Sequence, residues 1–223
     1  FISNKYKNPL FFDIGANEGF YSISALKEFS NIILHLFEPA PDTADQLRKN
    51  LELNGVFPSN FNQIALSDKI GKEKFIFVPE LTGSSSFKNL VEDDSAIEIS
   101  VNTITLDNYL NQKNVWPDFI KIDVEGAEKK VLKGFEKSLL NSDRKPILFL
   151  EILRKWARKF GYEASHFFDE IISYGYDGFT FCEENILKSC KSLDENTLET
   201  NFLFLPKDFS EINKLKNCIK SWI

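Results

Sequence analysis

Phe11-Phe12-Asp13-Ile14-Gly15-Ala16-Asn17-Glu18-Gly19-Phe20-Tyr21-Ser22 is the stretch whose reading decides the fold. An apolar run ends in an acid, two glycines four residues apart follow, and a helical pattern opens behind them. Glycine lets a chain turn tightly and come close to a ligand, and a helix start offers unpaired N–H groups. After a strand, before a helix and at the first crossover of a β-α-β series, the arrangement points to a nucleotide-like cofactor. Taken alone it would also serve as a plain strand-to-helix turn.

Outward from this turn, short apolar runs alternate with helical patterns. Leu10–Ile14 reads as a strand and residues 21–29 as a helix; 32–37 is a second strand and 41–54 a helix with Leu47 and Leu51 on one stripe. Further strands are read over 61–66, 119–124 and 147–152, with a helix over 127–140. Each run has the length of a buried strand, and each joining segment is able to cross over as a helix. That is the signature of an α/β fold with a mostly parallel, doubly wound sheet. Two sections depart from strict alternation. Residues 73–78 and 97–104 read as extra strands around the loop Gly83-Ser84-Ser85-Ser86. Residues 176–182 and 201–205 read as an antiparallel pair at one sheet edge.

The tail places Phe209, Ile212, Leu215, Ile219 and Trp222 at three- and four-residue steps. This spacing predicts a docking helix, with a homodimer contact as the alternative. No internal repeat or low-complexity linker interrupts the chain. The expectation is one domain over 1–223, with a cofactor-binding core over about 10–152 and a closing hairpin and C-terminal helix over about 153–223.

The acids fall where such a sheet binds ligands, outside the carboxyl ends of its strands. Glu38 ends the second strand, 19 residues after Gly19. An acid there accepts hydrogen bonds from the ribose hydroxyls of an adenosine. Dinucleotide sites and S-adenosylmethionine sites both use this logic. The dinucleotide pattern asks for Gly-x-Gly-x-x-Gly, which this turn lacks. Asp13 just before the turn suits a cationic amino-acid end better than a pyrophosphate. Asp123 and Glu125, in Ile120-Lys121-Ile122-Asp123-Val124-Glu125-Gly126-Ala127-Glu128, and Glu151 near the end of the next strand complete five acids along one edge.

Composition limits the other possibilities. The chain has 223 residues and 25.7 kDa, 43% hydrophobic and 27% charged, as in a globular protein. Its net charge of −6 argues against nucleic acid as a main partner. Cys182, Cys190 and Cys218 are odd in number and lack metal-ligand spacing; reduced thiols in a cytoplasmic protein are expected, and no metal. No window approaches the roughly 20 apolar residues of a membrane span. His35 lies within the second strand and reads as a core residue. His166, beside Phe167 and Phe168, is a weak candidate for a base. Methionine is absent and the sequence begins at Phe1.

The runs Asp13-Ile14-Gly15-Ala16-Asn17, Phe37-Glu38-Pro39, Ala65-Leu66-Ser67-Asp68 and Asp123-Val124-Glu125-Gly126-Ala127-Glu128 together resemble the FkbM-type methyltransferases. The resemblance implies the Rossmann-like class I methyltransferase fold with a closing antiparallel strand, and S-adenosyl-L-methionine as cofactor. It implies that Asp13, Gly15, Asn17 and Gly19 surround the methionine and sugar portions. By it, Tyr21 and Ser22 meet the cofactor carboxylate, Glu38 the ribose, and Ala65 and Leu66 the adenine. Many methyltransferases carry an acid where this chain has Ala65. Asp123 and Glu125 would lie beside the methyl donor and the acceptor. Asp123 leads as general base, followed by Glu125 and Glu151. The implied acceptor is a hydroxyl on a sugar, glycan or polyketide-like small molecule. The Asn-Pro-Pro-aromatic or Asp-Pro-Pro-aromatic string of base-amine methyltransferases is absent. Two other readings stay open: a non-catalytic adenosine-binding domain, and an NAD-dependent oxidoreductase or epimerase, whose third glycine and Tyr-x-x-x-Lys pair are both missing.

Overall fold

The computed structural model describes residues 8–209 other than 30, 58, 80, 92, 182–186, 195, 196, 198 and 199. Strand β1 (Leu10–Ile14) leads through helix α1 (Phe20–Glu28) to β2 (Ile33–Phe37), and α2 (Pro41–Leu53) leads to β3 (Phe61–Asn62). A short excursion follows: β4 (Ala65–Leu66), β5 (Gly71–Phe77) and β6 (Ile97–Ile104). The chain then runs through α3 (Leu106–Lys113), β7 (Phe119–Ile122), α4 (Glu128–Lys133), α5 (Glu136–Asn141) and β8 (Ile147–Glu151). Helices α6 (Arg154–Phe160) and α7 (Ala164–Ser173) precede β9 (Tyr176–Phe181), β10 (Leu187–Cys190) and β11 (Asn201–Pro206).

Eight of these strands make one sheet in the order β10-β9-β11-β8-β7-β1-β2-β3. From β8 to β3 the pairings are parallel; β11 joins β8 and β9 antiparallel. The doubly wound pattern follows from side-chain alternation. Phe12, Ile14, Ile120, Ile122, Leu148 and Leu150 point to one face, where they meet Leu106, Tyr109, Val131, Leu139, Phe167 and Phe168 of the helices after β6, β7 and β8. Phe11, Leu34 and Leu36 point to the other, against Ile23 of α1 and Leu47 and Leu51 of α2. His35 is indeed a core residue: it stacks on Phe12 and its Nδ1 lies 2.8 Å from the Tyr109 hydroxyl. Burial, and then Lys113, pull its pKa down to about 4, so the ring is neutral. His166 is exposed on α7.

Three expectations need correcting. The single strand over 61–66 is two: β3 extends the main sheet, whereas β4 pairs with β6 in a separate sheet of order β4-β6-β5. The helix over 127–140 breaks in two at Gly134 and Phe135. A β-carbon on Gly134 would stand 2.1 Å from the Ser67 carbonyl oxygen, and the Gly134 carbonyl accepts from Asp107 N. The antiparallel pair does form, but β11 lies inside the sheet, and the outer strand β10 was not expected. Apart from Phe209, the expected tail helix lies outside the described residues, as do Cys182 and Cys218. Among the described residues no helix is long and apolar enough to cross a membrane.

Candidate functional site

The carboxyl ends of β1, β2 and β7 converge on a cavity. Its floor is the turn after β1. Gly15 has φ +75, and a β-carbon there would stand 1.9 Å from the Asp123 carbonyl oxygen. Only glycine allows both this conformation and this approach of two strand ends. Gly15 N and Ala16 N both donate to the Phe37 carbonyl, tying the turn to β2. Asn17 and Glu125, on either side of the cavity, hold φ of +46 and +51. Left-handed backbone at non-glycine residues stores strain and gathers at functional sites.

Glu38 is buried, and each of its oxygens is already engaged. Oε2 accepts from Asn17 N and Oε1 from Ala40 N, both at 3.0 Å. The carboxylate therefore braces the glycine turn and the start of α2, and each oxygen keeps a lone pair for another donor. Burial pushes its pKa up to about 7 against the pull of those N–H groups. The opposite wall is apolar: Ile64, Ala65 and Leu66 from the third segment, Phe75 and Phe87 from the β5–β6 excursion. Thr82, Gly83 and Ser85 of the Gly-Ser loop complete the lining. The adjoining Ser86, itself buried, donates from its hydroxyl to the Glu125 carbonyl at 2.7 Å.

Of the residues singled out from sequence, Gly15, Asn17, Glu38, Ala65, Leu66, Asp123 and Glu125 line this cavity. Glu151 adjoins it: carboxylate oxygens of Asp123, Glu125 and Glu151 all lie within 4.8 Å of one another. Burial first, then Asp123 and Glu151, push Glu125 up to about 8; burial and Asp123 push Glu151 up to about 7. Such a cluster holds protons near neutral pH and can exchange them with a ligand. Tyr21 stands to one side, with Lys121 Nζ 5.1 Å from its ring centre and Phe149 against it. Ser22 and Asp13 are fully buried and face each other, Ser22 Oγ donating to Asp13 Oδ2 at 2.5 Å. Gly19 lies at the start of α1, where an added β-carbon would meet Leu47 at 2.5 Å.

Two charged residues of the site escaped the sequence reading. Lys121, 3% exposed, sends its ammonium to the Gly15 carbonyl at 2.7 Å, with Asp13 Oδ1 and Asp123 Oδ2 each at 3.4 Å. Glu128, 2% exposed, accepts from Val124 N and Gly126 N and so clamps the loop that carries Glu125. The signal for Lys121 was a lone lysine inside an apolar strand. For Glu128 it was the last acid of Asp-Val-Glu-Gly-Ala-Glu.

This strand order, with a ligand-sized cavity at the carboxyl edge, defines a Rossmann-like class I methyltransferase fold. The Methyltransferase FkbM domain matches residues 13–177, and the chain belongs to that family. Methyltransferase sdnD of Sordaria araneosa is 29% identical over 167 residues, covering 61% of this chain and 64% of that protein. The 31-O-demethyl-FK506 methyltransferase FkbM of Streptomyces tacrolimicus is 30% identical over 153 residues, covering 56% and 58%. The chain thus spans less than two thirds of the length of these relatives. Among solved structures, the O-methyltransferase from Bacillus cereus in complex with SAH matches at TM-score 0.45 and 14% identity, over 87% of this chain and 72% of that one.

The cavity fits an adenosyl group. Asn17 Oδ1 is buried with no hydrogen-bond partner among the described residues. Glu38 keeps two oxygens able to accept from a diol, and the Ile64–Leu66 and Phe75–Phe87 wall is apolar, as a base requires.

Proposed function

We propose that this chain is an S-adenosyl-L-methionine-dependent methyltransferase that acts on a hydroxyl of a sugar, glycan or small natural product. The observation that carries the reading is the juxtaposition of two parts. Glu38 and the apolar wall suit the adenosyl portion, and the Asp123, Glu125 and Glu151 carboxylates gather at the same cavity.

When bound, the cofactor supplies a methyl group on a sulfonium, which is already a good leaving group. The protein's work is therefore alignment and proton removal. A hydroxyl is a poor nucleophile until its proton is taken. Asp123, which lines the cavity, is placed to accept that proton. Glu151 and Glu125, raised to about 7 and about 8, take it onward when ionised, so proton removal gains with rising pH. Glu38 orients the sugar of the cofactor, and Asn17 offers its free side-chain oxygen. Tyr21, half-exposed beside Phe149, is a surface for the acceptor rather than a cofactor ligand. The Streptomyces tacrolimicus relative, named for a 31-O-demethyl substrate, supports an oxygen acceptor.

The test has two stages. Calorimetry should find binding of adenosylhomocysteine and none of NAD. The protein should then transfer labelled methyl to at least one member of a panel of methyl glycosides, oligosaccharides and macrolide alcohols. NAD binding without adenosylhomocysteine binding would restore the oxidoreductase reading. Cofactor binding with no labelled product would leave a non-catalytic adenosine-binding domain.

A further inference from the structure

Lys121 has no place in the scheme above, yet it is a buried charge that touches both β1 and the acid after β7. It lies in the middle of β7, its register partner is Asp13, and alternation puts its side chain on the α1 face with Asp13 and Asp123. The buried ammonium donates to Gly15 O at 2.7 Å and is ion-paired with Asp13 Oδ1 and Asp123 Oδ2, each at 3.4 Å; Asp13 Oδ1 makes no hydrogen bond, so charge rather than hydrogen bonding ties it to the lysine. The Tyr21 ring closes the fourth side at 5.1 Å. Ser22 holds the far oxygen of Asp13. Burial disfavours the charge, but Asp13 and Asp123 overcome this and Lys121 stays cationic.

For folding alone the arrangement is a poor choice. A buried ion pair rarely stabilises more than a well-packed apolar side chain would. Its geometry points to a different use. The ammonium joins two parts that β1 and β7 bring together independently: the peptide of the cofactor turn and the acid beside the acceptor. We propose that Lys121 is a positioning residue that fixes the Gly15 carbonyl and the Asp123 carboxylate in one relation, so that cofactor and general base are set together. This rests on the role given to Asp123 under the proposed function.

The experiment is a double-mutant cycle of Lys121→Met and Asp123→Asn in the full chain, read by calorimetry with adenosylhomocysteine and by methyl transfer to the panel compound that takes most label. Lys121→Met should lower kcat by about tenfold or more in the wild-type background and by less than about threefold in the Asp123→Asn background. Its weakening of adenosylhomocysteine, which runs through Gly15, should be the same in both backgrounds. If Lys121→Met does not fold, Lys121→Gln replaces it; this keeps an N–H donor for Gly15 but no charge, and should lose kcat while holding affinity better. An equal loss of kcat in the two backgrounds, or no loss in the first, overturns the proposal. If Asp123→Asn alone leaves kcat intact, the base assignment falls and the proposal with it. If wild-type protein does not bind adenosylhomocysteine, the methyltransferase reading fails before any variant is made.

Discussion

Glu128→Gln makes a sharp test of how the acidic loop is held. Glu128 is fully buried at the start of α4. Its Oε1 accepts from Val124 N at 3.2 Å and Gly126 N at 3.0 Å, and its Oε2 lies 3.2 Å from the Tyr162 hydroxyl, which also reaches Gly126 O at 3.0 Å. Burial outweighs the backbone N–H groups and pushes its pKa from 4.5 up to about 7. The sign follows from linkage. With the folded pKa above the unfolded one, the folded protein binds more protons between pH 4.5 and about 7. The stability contributed is whole below 4.5 and lost as pH rises through about 7. At about 1.4 kcal/mol per pH unit the full loss is about 3.5 kcal/mol. About 1.4 kcal/mol of it is already gone at pH 5.5. Glutamine never ionises, its carbonyl keeps both backbone donors, and its amide can donate to the Tyr162 oxygen while that hydroxyl donates to Gly126 O. Glu38 and Glu151 are common to both proteins and cancel in the difference; Glu125, raised in part by Glu128 itself, is relieved in the variant and moves the difference in the same direction. Urea unfolding of the unliganded proteins, followed by circular dichroism, should show the variant gaining on wild type by about 2 kcal/mol between pH 5.5 and 8.5. A gap that stays level with pH, or a variant less stable by the same amount throughout, would refute the reasoning and mean that Glu128 works as an anion.

Three further outcomes follow from the same geometry. Glu38→Gln leaves either Asn17 N or Ala40 N without an acceptor and removes one ribose acceptor; adenosylhomocysteine affinity should fall by about tenfold or more by calorimetry. Gly15→Ala drives a β-carbon into the Asp123 carbonyl at 1.9 Å with φ +75; a loss above about 2 kcal/mol in urea unfolding, with cofactor binding abolished, is expected. Methyl transfer should rise with pH as Glu151 and Glu125 ionise near about 7 and about 8, and Glu151→Gln should remove the lower limb; a flat profile between pH 6 and 8.5 would show that neither proton matters.

The sheet and the ends of its strands were readable because local pattern and long-range contact agree there. Leu10–Ile14, the glycine turn and Glu38 lie within one β-α-β unit, so spacing alone puts Glu38 beside Asn17. Asp123 and Glu125 follow a strand of the same kind. What failed depended on partners distant in the chain. Ala65 and Leu66 read as the end of β3 because their apolar character is the same in either sheet; pairing with Thr103 and Ile104 decides between them. The break at Gly134 comes from its approach to Ser67, not from any helix-breaking string. Strand β10 has one buried residue, Leu187, and no alternation to betray it. Ser22, at the start of a helix, reads as a ligand for the cofactor, while its fully buried side chain turns inward to Asp13. Lys121 drew no reading of its own, since a strand's pattern does not show which residues its neighbours set beside it.

The close approach of Gly15 to the Asp123 carbonyl has a consequence for how such a protein can change. Where two strand ends touch backbone to backbone, no side chain can be enlarged or trimmed to reshape the space between them. Freedom to take a new methyl acceptor must lie elsewhere along the rim: in the β5–β6 excursion, which lends Thr82, Gly83, Ser85 and Phe87 to the cavity, and in α6, whose Trp156 packs behind Gly126. Libraries aimed at new acceptors belong in those two segments, and the seam between β1 and β7 should be left as it is.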